Sequence, residues 1–129
     1  VQKIWDQCDG EQLRMWGEVP KDVKVKLMQN AKAILIPSQM GEPFGLIAAE
    51  AMACGTPAIC LNDGALKEVV SHGKTGFICD STDQMVNAIG IVNQIEPKRC
   101  RQRVQNLFTK EVMAQNYLKL YREARAGGW

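Results

Sequence analysis

The sequence has one histidine and five cysteines, and no two cysteines stand in a Cys-x-x-Cys spacing. An odd count without paired spacing excludes a disulfide framework, and a single histidine with scattered thiols argues against a zinc site. No apolar run approaches the roughly 18–20 residues that a membrane span requires. The longest apolar stretch, residues 44–54, is too short to span and too far inside the chain to be a signal peptide. Charge of one sign is not concentrated either: 16 basic and 14 acidic side chains leave a net +2 without blocks. A nucleic-acid binder carries a concentrated basic footprint. The nearest thing to one, Lys98, Arg99, Arg101 and Arg103, has no interleaved aromatic platform and reads as a solvated helix face. Internal repeats and low-complexity linkers are also lacking.

What is present is one domain's worth of chain. At 129 residues, 46% hydrophobic and 23% charged, it has the composition of a soluble globular protein. A chain of this size buries roughly 65–70% of its unfolded surface and needs no staples. Cys54, Cys60 and Cys79 lie among apolar neighbours, where a reduced thiol acts as a small hydrophobe. A reducing cytoplasm is the expected compartment.

Residues 1–16 show no clean period, and Trp16 to Pro20 reads as a short strand running into a turn. Asp22 can cap a helix over 22–31, with Val23, Leu27, Met28 and Ala31 at helical spacing. Ala33 to Ile36 suits a strand buried on both faces, stopped by Pro37. After a loop from Ser38 to Pro43, a helix runs from Phe44 to Cys54 and ends at Gly55. Pro57 to Leu61 is a strand, 62–64 a turn, 65–71 a short helix, 72–76 a turn and Phe77 to Cys79 a strand. Residues 80–83 cap a helix to Gln94, Pro97 opens another to Leu107, and a last runs from Lys110 to Ala126 before Gly127-Gly128. Strands alternating with helices make this an α/β fold with a small parallel sheet of three or four strands, a single domain over 1–129.

In parallel sheets ligands bind beyond the carboxyl ends of the strands. The loop after Ile36 lies at such an end and enters a helix at Gly45, which permits close approach to the backbone. The amides of Gly45, Leu46 and Ile47, backed by the helix dipole, suit a phosphate. Glu50 is the only polar side chain between Gly45 and Gly55, on a helix apolar on every face as buried helices are. A carboxylate enclosed there costs several kcal/mol unless satisfied. Either a ligand's hydroxyl pair satisfies it, or a neighbouring backbone group or arginine does. Glu42, eight residues earlier on the loop lip, is either a contact for an uncharged hydroxylated group or a solvated loop residue. Taken in order, a sugar at Glu42, a diphosphate at the helix N-terminus and a ribose at Glu50 spell a nucleotide sugar.

Pro37-Ser38 after a strand, Glu42-Pro43-Phe44-Gly45-Leu46, and Glu50-Ala51-Met52-Ala53-Cys54-Gly55-Thr56-Pro57 put the two acids in an E-x7-E spacing. With Gly64 and Glu68, the Gly73 to Phe77 turn and Trp16-Gly17, this pattern resembles the C-terminal donor-binding domain of the group 1 (family 4) retaining glycosyltransferases over about residues 13–125. The resemblance implies a Rossmann-like half-domain of the GT-B fold and transfer of a hexose-type sugar from a nucleoside diphosphate to an acceptor. It implies Glu42 as the catalytic residue, touching the donor sugar and steadying positive charge at the anomeric carbon. Phe44, Gly45, Leu46 and Ile47 would hold sugar and diphosphate through their amides, Glu50 the ribose, and Gly64 a further donor contact. No metal or other cofactor is implied, since amide dipoles and an Arg and Lys pair meet the phosphate charge.

That pair is not matched. In the family it precedes the Trp16-Gly17 position, and here Lys3 and Arg14 lack its context. The expectation is a chain without the domain's first strands or the N-terminal acceptor domain, inactive alone. The alternative is a non-catalytic interaction module derived from the same fold. A receiver-type signalling domain would need acids at the first strand's end, and none are there. His72 reads as a helix-end residue, Gly73-Lys74-Thr75 as a turn, and Tyr117, Leu120 and Tyr121 as a core stripe. Part of that stripe, where exposed, would promote self-association.

Overall fold

Three short apolar runs each follow a helix or a turn-rich loop, and each becomes a parallel strand. A computed structural model describes residues 6–127; Lys3 and Gly128 lie outside them. The order is α1 (Lys21–Asn30), β1 (Ile34–Ile36), α2 (Leu46–Ala53), β2 (Ala58–Leu61), α3 (Leu66–Val69), β3 (Gly76–Cys79), α4 (Thr82–Ile91), a 3-10 turn (Val92–Gln94), α5 (Pro97–Leu107) and α6 (Lys110–Arg125). The sheet order is β1-β2-β3, all parallel, with Ile34 beside Ala58 and Ala58 beside Gly76.

The central strand β2 is buried along its whole length. Met52 of α2, Met85 and Ala88 of α4, and Cys100 of α5 close the core around it. Burial pushes the Cys60 thiol up to about 12 and the Cys100 thiol up to about 11, and it also raises Cys79. These thiols stay protonated at neutral pH and serve as packing, not chemistry. At α4 the anticipated cap forms: Ser81 Oγ accepts the Gln84 amide at 3.3 Å, and Gln84 Oε1 accepts the Asp80 amide at 2.9 Å.

Several expectations are corrected. Residues 16–20 form no strand, because no described residue pairs with them, and Trp16 is exposed. Asp22 does not cap α1; Pro20 occupies the cap position without a side-chain bond, and Asp22 sits in the first turn. β1 is not buried on both faces: Leu35 is 49% exposed, since no described element covers its side. The basic cluster on α5 is not simply solvated. Arg101 Nη1 donates to Cys54 O at 3.0 Å, and Arg103 donates to Val69 O and Glu68 O, both at 2.6 Å. These two side chains cap the carboxyl ends of α2 and α3. The α6 stripe is not core either: α6 has no buried residue, and Tyr117, Leu120 and Tyr121 are exposed.

Candidate functional site

The site grows from the loop between β1 and α2, at the carboxyl end of the sheet. Gly45 precedes α2 at φ +86°, a conformation that L residues rarely adopt, and a Cβ there would press on Leu66. This left-handed residue turns the chain sharply into the helix. Glu42 reaches back across the turn: its Oε1 accepts the Gly45 amide at 2.8 Å and the Phe44 amide at 3.4 Å. The protein's own carboxylate therefore sits at the positive end of α2, where an anion is favoured.

The amides at this helix start divide into two pairs. Those of Phe44 and Gly45 are engaged by Glu42, so the Gly45 amide is not open as the sequence suggested. Those of Leu46 and Ile47 make no hydrogen bond among the described residues. Phe44 is held by an edge-on contact with Phe108 at 6.0 Å between ring centroids, and the Arg103 guanidinium lies 5.8 Å from the Phe108 ring centroid.

Glu50 overturns the burial argument. Its side chain is 47% exposed, and Lys24 Nζ donates to both carboxylate oxygens at 2.9 and 3.0 Å. On α2 the buried positions are Ala48, Ala49, Ala51 and Met52, which leaves Leu46, Ile47, Glu50 and Ala53 on one open face. A uniformly apolar helix looked enclosed because hydropathy does not say which side is covered; here small alanines fill the packed side. Lys24 lies 26 residues away on another helix, so no sequence spacing could have paired it with Glu50.

Asp63, which the sequence places after a strand end on the ligand side of the sheet or in a plain turn, turns out to hold the Glu42 loop, a role the sequence reading missed. Its Oδ2 accepts the amides of Gly41 at 2.9 Å and Glu42 at 3.0 Å. Gly64, at φ +48°, lies against the Glu42 backbone so closely that no side chain fits, and the Ala65 amide donates to Glu42 O at 2.9 Å. Thus Glu42, Phe44, Gly45 and Gly64 come together, Leu46 and Ile47 follow on the open helix face, and Glu50 stands one turn further along. His72 is a turn-closing residue: its Nδ1 accepts the Ile78 amide at 3.1 Å, and its ring stands edge-on to Phe77. No three His, Cys, Asp or Glu side chains gather to hold a metal among the described residues.

Comparison with known proteins decides the family. The family described as Glycosyl transferases group 1 matches residues 2–107. This chain belongs to the group 1 glycosyltransferases. N-acetyl-alpha-D-glucosaminyl L-malate synthase of Bacillus anthracis is 33% identical over 109 residues, covering 78% of this chain and 28% of that protein. Glycogen synthase of Mycobacterium tuberculosis is 31% identical over 122 residues, covering 88% and 29%. Among solved structures, sucrose-phosphate synthase from Thermosynechococcus elongatus superposes with a TM-score of 0.76 at 32% identity, over 92% of this chain and 31% of that one. HepE of Anabaena, solved in complex with UDP, has a TM-score of 0.61 at 23% identity over 75% of this chain and 29% of its own, a likeness of fold alone. The glycosyltransferase chain therefore spans less than a third of the length of these relatives. Its architecture, a parallel sheet flanked by helices, is that of the GT-B C-terminal domain. No helix among its described residues is long and apolar enough to cross a membrane.

Proposed function

We propose that this domain binds a nucleoside-diphosphate sugar and serves a retaining transfer of a hexose-type sugar to an acceptor, in a cytoplasmic enzyme that needs no metal. The observation that carries the reading is the Glu42 carboxylate seated on the Gly45 amide at the start of α2, beside two unbonded amides at Leu46 and Ile47. The Leu46 and Ile47 amides, unbonded among the described residues at this positive helix end, support a diphosphate, while the like-charged Glu42 carboxylate keeps to the Gly45 side, where its partner is the uncharged sugar. In the reaction the bond from the anomeric carbon to the diphosphate oxygen breaks, and the nucleoside diphosphate leaves with the electron pair. The acceptor hydroxyl oxygen bonds that carbon on the same face, and its proton departs with the diphosphate. Glu42 would steady the positive charge that develops in between.

Glu50 would meet the ribose hydroxyls. A carboxylate offers about four lone-pair positions, and Lys24 takes one on each oxygen, so two hydroxyl donors still find acceptors. The Lys24 ammonium adds a positive charge near the site that the resemblance did not supply. The Lys24 pairing also favours a second reading, a non-catalytic module, because it satisfies Glu50 without a ligand. Calorimetric titration of UDP-glucose and GDP-mannose against the wild type and Glu50→Gln separates the two. Loss of about tenfold or more in affinity in the variant is expected from removing a charge-assisted hydrogen-bond pair. Equal binding by both proteins would remove Glu50 from the site, and no binding of either donor would favour the module.

A further inference from the structure

We propose that Asp63 is the positioning residue of Glu42, aiming the free oxygen of its carboxylate at the donor sugar; this rests on the donor-binding reading above. Every polar group of Glu42 except Oε2 has a partner. Its N–H goes to Asp63 Oδ2, its carbonyl to the Ala65 amide, and its Oε1 to the Gly45 amide. Asp63 takes the adjacent Gly41 amide with the same oxygen, so one carboxylate fixes two successive peptide planes of the lip loop. Gly64 supplies the flat surface on which that loop lies, since a Cβ would collide with Glu42 N, C and O. The β2–α3 loop thus dictates where the β1–α2 loop carries its acid.

No described residue bonds Oε2 of Glu42. With the backbone and Oε1 pinned, Oε2 has a defined position and an open lone pair, which is what a sugar hydroxyl requires. Without Asp63, the 41–42 peptides lose their anchor, and the carboxylate can leave the α2 N-terminus for solvent. Nucleotide binding, which rests on α2 amides and Glu50, does not pass through this clamp. Asp63 therefore acts on the sugar half of the donor alone.

The test has two arms on the full 129-residue chain, with Asp63→Ala and Asp63→Asn. In the unliganded protein, amide hydrogen exchange at Gly45 is read by NMR. Gly45 bonds Glu42 and not Asp63, so faster exchange there, by about tenfold, reports a displaced carboxylate, while Ile59 and Phe77 in the sheet stay protected. Asparagine keeps a carbonyl oxygen in the same place and should restore Gly45 protection. In the second arm, UDP-glucose is titrated against UDP, and GDP-mannose against GDP. Asp63→Ala should lower affinity for the sugar nucleotides to that of the bare diphosphates and leave the latter unchanged. Unchanged Gly45 exchange in Asp63→Ala overturns the clamp, whatever the ligands do. A clamp intact by exchange in a wild type that binds no donor overturns the donor reading, and with it the role given to Oε2. Parallel losses for sugar nucleotides and bare diphosphates would reduce Asp63 to a purely structural residue.

Discussion

Replacing Gly64 by alanine separates backbone strain from the contact that orders the site. Gly64 and Gly73 both have a left-handed backbone: Gly64 at φ +48° lies against Glu42, and Gly73 at φ +71° is placed where an added methyl would meet nothing within 4 Å. An L residue in this conformation costs roughly 1–2 kcal/mol. Gly73→Ala should be destabilised by about that amount and no more. In Gly64→Ala the methyl also forces the Glu42 backbone away, which stretches the bonds Asp63–Gly41, Asp63–Glu42 and Ala65–Glu42. Each such bond is worth a net of roughly 0.5–1.5 kcal/mol. The total for Gly64→Ala is then roughly 3 kcal/mol or more. Urea unfolding followed by far-UV circular dichroism reads the difference. With a slope of about 1–3 kcal/mol per molar, Gly64→Ala should unfold about 1 M earlier than Gly73→Ala. Coincident midpoints would show that the Glu42 loop does not lean on Gly64, and the account of the site would fail.

Arg103→Met should cost about 2–3 kcal/mol, because two charge-assisted bonds to the last carbonyls of α3 are lost while the aliphatic stem is kept. Arg99→Met is the control: its only ion pair among the described residues is the exposed one with Glu96, so its urea midpoint should stay near that of the wild type, and equal losses in both variants would contradict the assigned caps. Alkaline pH should also destabilise the fold. The buried Cys60 thiol is raised from the ordinary 9.0 to about 12, so the folded state keeps a proton that the unfolded chain releases. Its contribution is complete below about pH 9 and is lost as pH rises toward 12, with Cys100 adding in the same direction toward about 11. A urea midpoint that stays flat from about pH 8 to about 10.5, or a Cys60→Ala variant with an unchanged slope, would refute this.

The order and type of the elements were legible because they follow from local rules. Apolar runs broken by Pro37 and Gly55, the Ser81 cap and Pro97 at a helix start act within a few residues, and β2, α4, α5 and α6 came close to their anticipated places. The stretch from Glu42 to Pro57 carried the resemblance to the family, and the family match spans it within residues 2–107. Which faces are covered was a different matter. Glu50, Leu35 and the α6 stripe are open because burial depends on the layers that arrive from distant segments, and hydropathy along one helix does not register their absence. The partners of the acids were hidden for the same reason. Lys24 meets Glu50 across 26 residues and Asp63 meets Glu42 across 21, distances over which only the path of the folded chain selects neighbours. Local steric and hydrogen-bonding preferences were enough to write the elements and the motif; long-range packing alone chose what each carboxylate touches.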